Sequence, residues 1–314
     1  VSIELLIEQS VNGLQLGLTL YLLAAGLTLI FGVMGILNLA HGSMYMVGAY
    51  AAAAIAVKTG SFVAATAGGA AAAGLFGLLV EFVIIRRLYH REHLDQVLAT
   101  FGVILFTNEA MAMLFGRSPL FMPMPQWAAG QVEIFPGVPY PQYRLFVMAA
   151  GIVIAVLLWQ LITRSRLGMQ IRAGATHRDM VGALGVNIAR LYTVVFGVGA
   201  LLCGVAGALI GPVRSVQIGM GEDVLILTFV VVVIGGIGSL KGAFAGAMVV
   251  GIIDTLSRAV AGPAIKSWIG GPTGDSLAAG LSSIMVYLVM ALVLVIRPTG
   301  LFPAAGNRAS HAGH

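Results

Sequence analysis

Polar residues are scarce in this chain, and those that could do chemistry fall in a few places. The densest is Gly32-Val33-Met34-Gly35-Ile36-Leu37-Asn38-Leu39-Ala40-His41-Gly42-Ser43, where an amide, an imidazole and a hydroxyl lie among glycines. Asn38, His41 and Ser43 could bond the head group of a small solute, or they could satisfy a broken backbone. Gly235-Gly236-Ile237-Gly238-Ser239-Leu240-Lys241-Gly242 is a second stretch of this kind. Glu81, Glu109 and Asp254 are acids inside apolar runs, which is expensive in lipid unless each faces protein or water. Glu109 and Asp254 read as buried acids, either structural hydrogen-bond partners or functional groups. Glu81, near the end of its run, can snorkel or pair with Arg86 and Arg87. His90 and His93 lack a flanking ligand set, so a solvated loop is expected there rather than a metal site. Cys203 lies in an apolar run and reads as a small packing residue. There is no GxxxxGK[ST] phosphate loop, no HExxH helix and no nucleophile motif, so neither an ATPase site, a metal nor a cofactor is expected in the chain.

The elements that position these residues follow from composition. The chain has 314 residues, 59% hydrophobic and 9% charged, with mean hydropathy +0.99. Soluble domains carry roughly 25% charged residues. This is an all-α polytopic membrane protein, one transmembrane domain over residues 1–314, surrounded by membrane lipid. A β-barrel would show alternating segments of about ten residues, whereas the apolar runs here are longer and continuous. The 42 glycines suit close helix approach. Net charge is +5, but the basic residues sit between apolar runs, so nucleic acid is excluded as a partner. Glu4 and Glu8 stand where a signal peptide would need cations, and the first span is expected to serve as its own insertion signal.

Spans are expected at about 11–36, 42–57, 62–85, 95–115, 145–163, 191–212, 224–234, 243–258 and 276–296. That is nine, within a range of eight to ten, interrupted by the two glycine-rich breaks. Of the 17 Lys and Arg residues, 11 fall on the side that holds Arg86 and Arg87, which makes that side cytoplasmic. Lipid cannot satisfy a free backbone, so a break within it must be covered by protein or line a wet cavity; the competing reading is a polar turn at the surface. Gly-interrupted segments in two halves of a chain point to a transporter's central site. Gly35, Gly42, Asn38, His41, Ser43, Gly235, Gly236, Gly238 and Ser239 are the pathway residues expected on this ground. The breaks echo each other at an offset of 200, with Leu27, Thr28, Val33, Gly35 and Gly42 matching Leu227, Thr228, Val233, Gly235 and Gly242. By span parity they run in the same direction, unless one is re-entrant.

Residues 116–143 carry six prolines with Trp127, Phe135, Tyr140 and Tyr143, and read as an external loop. Residues 164–190 carry five arginines and read as a cytoplasmic segment, with a short amphipathic helix around 175–184 ended by Gly185. That helix could dock a soluble partner or rest on headgroups. Residues 259–275 read as an external loop and 303–314 as a flexible tail. Few acids lie in the spans, so a pore moved by a partner's work fits better than a self-powered carrier; an ion-coupled carrier using Glu109 and Asp254 is the alternative.

GLTLIFGVMGILNLAHGSMYMVGAY (26–50) resembles a signature of the branched-chain amino acid ABC importer permeases. So do RLGMQIRAGATHRDMVGALGVN (166–187), VVIGGIGSLKGAFAGAMVVGIID (232–254) and RPTGLF (297–302). The blocks follow the family's order over nearly the whole chain, and NLAHG resembles the first permease of the pair. Lys241 departs from the proline of the family pattern. The resemblance implies a non-enzymatic transport subunit in a bacterial inner membrane, with a fold similar to the cobalamin and ribose importer permeases. It implies three kinds of partner: a second permease, identical or homologous, two cytoplasmic ATPases and a periplasmic binding protein. It places ATPase coupling on the segment holding Arg172, Thr176, Asp179, Gly182, Leu184, Gly185 and Asn187. Similar permeases carry leucine-type amino acids, urea, short amides, and aromatic or dicarboxylic acids.

Overall fold

The computed structural model describes residues 3–89, 91–261 and 272–302, without the side chains of Asp179, Ala261 and residues 272–279. His90, most of the expected 259–275 loop and the 303–314 tail therefore lie outside the described residues. Ten α-helices are described: α1 (Ile3–Met34), α2 (His41–Thr59), α3 (Phe62–Val83), α4 (His93–Phe115), α5 (Gln142–Arg164), α6 (Arg166–Ala183), α7 (Ile188–Ile210), α8 (Met220–Gly235), α9 (Leu240–Leu256) and α10 (Pro272–Ile296). Among them six, counting α9 with its continuation to Val260, are long and apolar enough to cross a membrane. This is a multi-pass helical membrane protein.

The core is built by helices with small residues facing each other. Gly13 and Gly17 of α1 lie against Gly251 and Ala247 of α9, four residues apart on each side, a spacing that lets backbones touch in lipid. On α3, Gly69, Ala73 and Gly77 face Gly48 of α2 and Gly204 and Ala200 of α7 in the same way. α1 is the centre of the bundle, buried through most of its length, and packs chiefly on α9 and α7. α4 and α5 are peripheral, with Leu105, Phe106, Met113, Val153 and Leu157 exposed on their outer faces, as lipid-facing helices require.

Contacts fix the directions. α9 runs against α1, since Gly13 meets Ile252 and Gly17 meets Ala247; α8 runs against α9, since Gly246 meets Val231 and Gly242 meets Gly235. α1 and α8 therefore run the same way, as span parity predicts, and the echo is not an inverted repeat.

Two expectations are refined. The 116–143 segment contains a short antiparallel hairpin, β1 (Gln131–Phe135) and β2 (Val138–Pro141). Pro139 and Pro141 are tolerated because a two-stranded sheet leaves edges free of further pairing. Leu120 and Val216 exchange backbone hydrogen bonds of 2.8 Å each way, tying this segment to the α7–α8 connection. The amphipathic helix expected at 175–184 is the second half of a longer one, α6. Ser165 ends α5, and its hydroxyl accepts from Gly168 N at 2.9 Å, so a new helix starts at once and kinks at His177.

Candidate functional site

The first break is a buried return, not a surface turn. α1 ends at Met34, and Gly35 takes φ +68°, which a side chain would resist. Residues 36–40 then climb back into the bundle, with Ile36, Asn38 and Ala40 fully buried. His41 opens α2 with Nε2 3.1 Å from the Leu23 carbonyl oxygen and 3.0 Å from Cys203 Sγ. Leu23 lies eleven residues before Met34, about 16 Å back along α1 at 1.5 Å per residue. So α2 begins deep inside the bundle, where Gly42 packs on Gly221 so closely that a Cβ on either would stand on the other's carbonyl. Ser43 is buried, and its N–H closes the first turn on Ala40 O at 3.1 Å. Both amide atoms of Asn38 and Nδ1 of His41 are buried without a protein partner, a condition that calls for water or ligand.

The second break is close by. Gly238 lies against Gly32, so it packs on the last turns of α1. Gly235 packs on Gly242, which holds the ends of α8 and α9 together, and Gly236 lies against Gly300. Ser239 accepts from Gly242 N at 3.1 Å and caps α9. The 297–302 segment straps the break from outside: Leu301 N donates to Ile234 O and Phe302 N to Gly235 O, both at 2.9 Å. The echoed glycines thus do different work, a return into the core at the first break and a strapped turn at the second.

A polar cleft of about 800 Å³ opens where α2 begins. Its walls come from α1, α2, α8, α9, α10 and the end of α7, with Arg144 of α5 and Arg214 after α7. Asp254 belongs to it, buried and paired with Arg258 at 2.9 Å. Arg144 donates to Asn12 Oδ1, which also accepts from Tyr140 at 2.9 Å. Gln15, Tyr45, Arg214 and Asp223 are lining residues that the sequence reading did not single out. Gln15 carried the available signal, an amide in an otherwise apolar stretch of α1. Arg214 and Asp223 flank the α7–α8 connection, and it is the convergence of the end of α7 with the start of α8 that brings both to the cleft.

Glu109 is not a buried acid. Its side chain is 60% exposed and pairs with Arg117 at 3.0 Å. α4 turns Asn108 inward, to Glu222 at 2.5 Å, and Glu109 outward, within reach of a cation just past the helix end. Glu81 is fully buried, and accepts from Arg86 at 3.1 Å, Thr193 at 3.2 Å and Tyr89. Burial and that carboxylate push the Tyr89 hydroxyl above the ordinary tyrosine pKa, so it remains a donor.

In the 164–190 segment, Arg172 donates to Ile162 O and Thr176 to Arg172 O at 3.0 Å. Asn187 accepts from Arg190 N at 3.0 Å and caps α7. Gly185 takes φ +87° and ends the segment's helix. Leu184, 79% exposed, and Met180 point away from the bundle; Gly182 lies beside Ile188. The Asp179 side chain lies outside the described residues.

Against known proteins, the family model described as branched-chain amino acid transport system / permease component matches residues 9–296. The high-affinity branched-chain amino acid transport system permease protein LivH of Escherichia coli K12 is 28% identical over 94% of both chains. BraD of Pseudomonas aeruginosa, of the same description, is 31% identical over 94% of this chain and 95% of its own. The fructose import permease protein FrcC of Rhizobium meliloti is 33% identical over 34% of this chain and 33% of its own. Among solved structures, PsaBC from Streptococcus pneumoniae in complex with Fab aligns with TM-score 0.45 and 14% identity over 96% of this chain and 94% of its own.

Proposed function

The chain belongs to the branched-chain amino acid transport permease family, and on that premise we propose that it forms half of the translocation pathway of an ATP-driven importer for branched-chain or related amino acids. The observation that carries this is the polar cleft of about 800 Å³ within an otherwise apolar bundle, ending where the first break starts α2. Solute enters at the cleft and passes the wall made by Asn38, His41, Ser43, Gly35 and Gly42, with Gly235, Gly236, Gly238 and Ser239 shaping the neighbouring turn. None of these residues lines the cleft itself; Asn38 and His41 are sealed behind it, and their unpartnered amide and Nδ1 are the groups a solute meets once the wall opens.

Nine membrane-crossing segments in a bacterial inner membrane, similar to the larger cobalamin and ribose importer class, fit the helix directions. The partners are a second permease, two cytoplasmic ATPases that dock on α6 and Gly185, and a periplasmic binding protein that delivers solute. The secondary-carrier reading loses its support, because the two acids that suggested an ion site are already paired, Glu109 with Arg117 and Asp254 with Arg258. The test is uptake of radiolabelled leucine, isoleucine and valine in cells lacking only this chain. Loss of uptake, restored by the gene, is expected; unchanged uptake of all three and of related amino acids sinks the reading.

A further inference from the structure

Among the described residues the cleft holds five charged side chains, and four contacts account for three of them. Arg258 grips the Asp254 carboxylate through three hydrogen bonds of 2.9–3.1 Å, and Arg144 donates to Asn12. Arg214 and Asp223 remain: both line the cleft, both are exposed, and neither forms an ion pair with the other or with any described residue. Deeper in the cleft stands Gln15, 6% exposed, whose amide makes no hydrogen bond among the described residues. Nearly all of the residue is covered by protein, and its amide opens only onto the cleft. Thr19 and Tyr45 lie beside it, and Leu20, Ile210 and Leu227 give the cleft an apolar wall.

We propose that this cleft is a head-group site for a zwitterion, in which Arg214 takes a carboxylate, Asp223 takes an ammonium, Gln15 bonds the head group from below and the apolar wall receives an aliphatic side chain. The inference rests on the importer reading and adds to it that selection occurs within this chain, after delivery by a binding protein. A cation and an anion that share a wet cleft without pairing leave room between them for one solute that satisfies both. Water leaves Arg214 and Asp223 easily because both are exposed, so the exchange is reversible, as passage requires. An uncharged amide, a urea or a monovalent ion leaves at least one clamp without its partner, and a site built around polar contacts discriminates strongly against an analogue that lacks one.

The test uses the whole importer, with binding protein and ATPases, carrying Thr255→Cys in the cleft wall. The natural Cys203 is fully buried and does not compete for a charged thiol reagent. Labelling of the new thiol is followed with leucine, with isocaproate, which lacks the ammonium, and with isopentylamine, which lacks the carboxylate. Leucine is expected to protect at concentrations about tenfold or more below either analogue. Arg214→Gln should bring leucine down to the level of isopentylamine, and Asp223→Asn to that of isocaproate, with the labelling rate in the absence of solute unchanged. Equal protection by all three, or by none, in an importer that still accumulates leucine at the expense of ATP, overturns the head-group site alone. An importer that accumulates neither leucine, isoleucine, valine nor a related amino acid overturns the importer reading beneath it.

Discussion

At the scale of single residues, glycine and a buried acid do most of the positioning. Gly42 and Gly221 bring the starts of α2 and α8 together so closely that there is no room for a methyl group between backbones. Gly42→Ala should therefore cost about 1–3 kcal/mol or more, since neither carbonyl can yield as a side chain would. Gly102→Ala is the control: its Cβ would meet open space, and a helical Gly to Ala change should be neutral or favourable by up to about 1 kcal/mol. Thermal melting in detergent checks both, and equal melting of the two variants would refute the packing argument. Glu81 is a different case. Its carboxylate collects Arg86, Tyr89 and Thr193, joining the end of α3 and the turn after it to α7. Glu81→Ala strands those donors, and about 2–3 kcal/mol should be lost, because Arg86, 37% exposed, and the half-buried Tyr89 each recover some hydration. Glu81→Gln keeps an acceptor and should lose less; an unshifted melting curve for the alanine variant is the contrary result. The sequence placed Glu81 with an arginine correctly, since the pair is local. It could not show Thr193, which is 112 residues away, nor that Glu109 turns outward while its neighbour Asn108 turns inward.

At the scale of elements, α6 separates its internal work from its outward face. Arg172, Thr176 and Asn187 are engaged within the segment and its neighbours, while Leu184 is 79% exposed at its end. A residue whose side chain touches solvent can change sign without disturbing the fold. Leu184→Glu should leave expression and melting unaltered and abolish copurification of the ATPase, through an unpaired charge placed in an apolar contact. Normal copurification would show that coupling lies elsewhere. The start of α6 was missed because a serine that ends one helix here also caps the next, and hydropathy falls across that junction without marking it. The two glycine breaks were visible as punctuation. Their different architectures were not, because a return into the core and a strapped turn use the same residue type.

At the scale of the whole molecule, helix directions and charge bind the chain to one orientation. α1 and α8 run together, α9 runs against both, and α3 runs against α7, where Gly69 meets Ala208 and Gly77 meets Ala200. One end of the bundle then carries the α2–α3 turn at Gly60, the β1–β2 hairpin and the Leu120–Val216 bridge. The other carries Arg86, Arg87 and the arginines of 164–190. Composition was enough to predict a helical membrane protein, and the charge distribution is what assigns its basic end to the cytoplasm. The cleft was not predictable, since its residues come from at least five helices whose neighbours in space are remote in sequence. The orientation has a direct consequence: in the intact cell, Thr59→Cys and Gln131→Cys should react with a membrane-impermeant thiol reagent. Arg178→Cys should react only after the membrane is opened, because the positive-inside rule holds its segment in the cytoplasm. Native Cys203 is buried and gives no background. Labelling of Arg178→Cys from outside would invert the molecule. It would place the polar cleft on the cytoplasmic side and turn an entry site for solute into an exit, which no importer fed by an external binding protein could use.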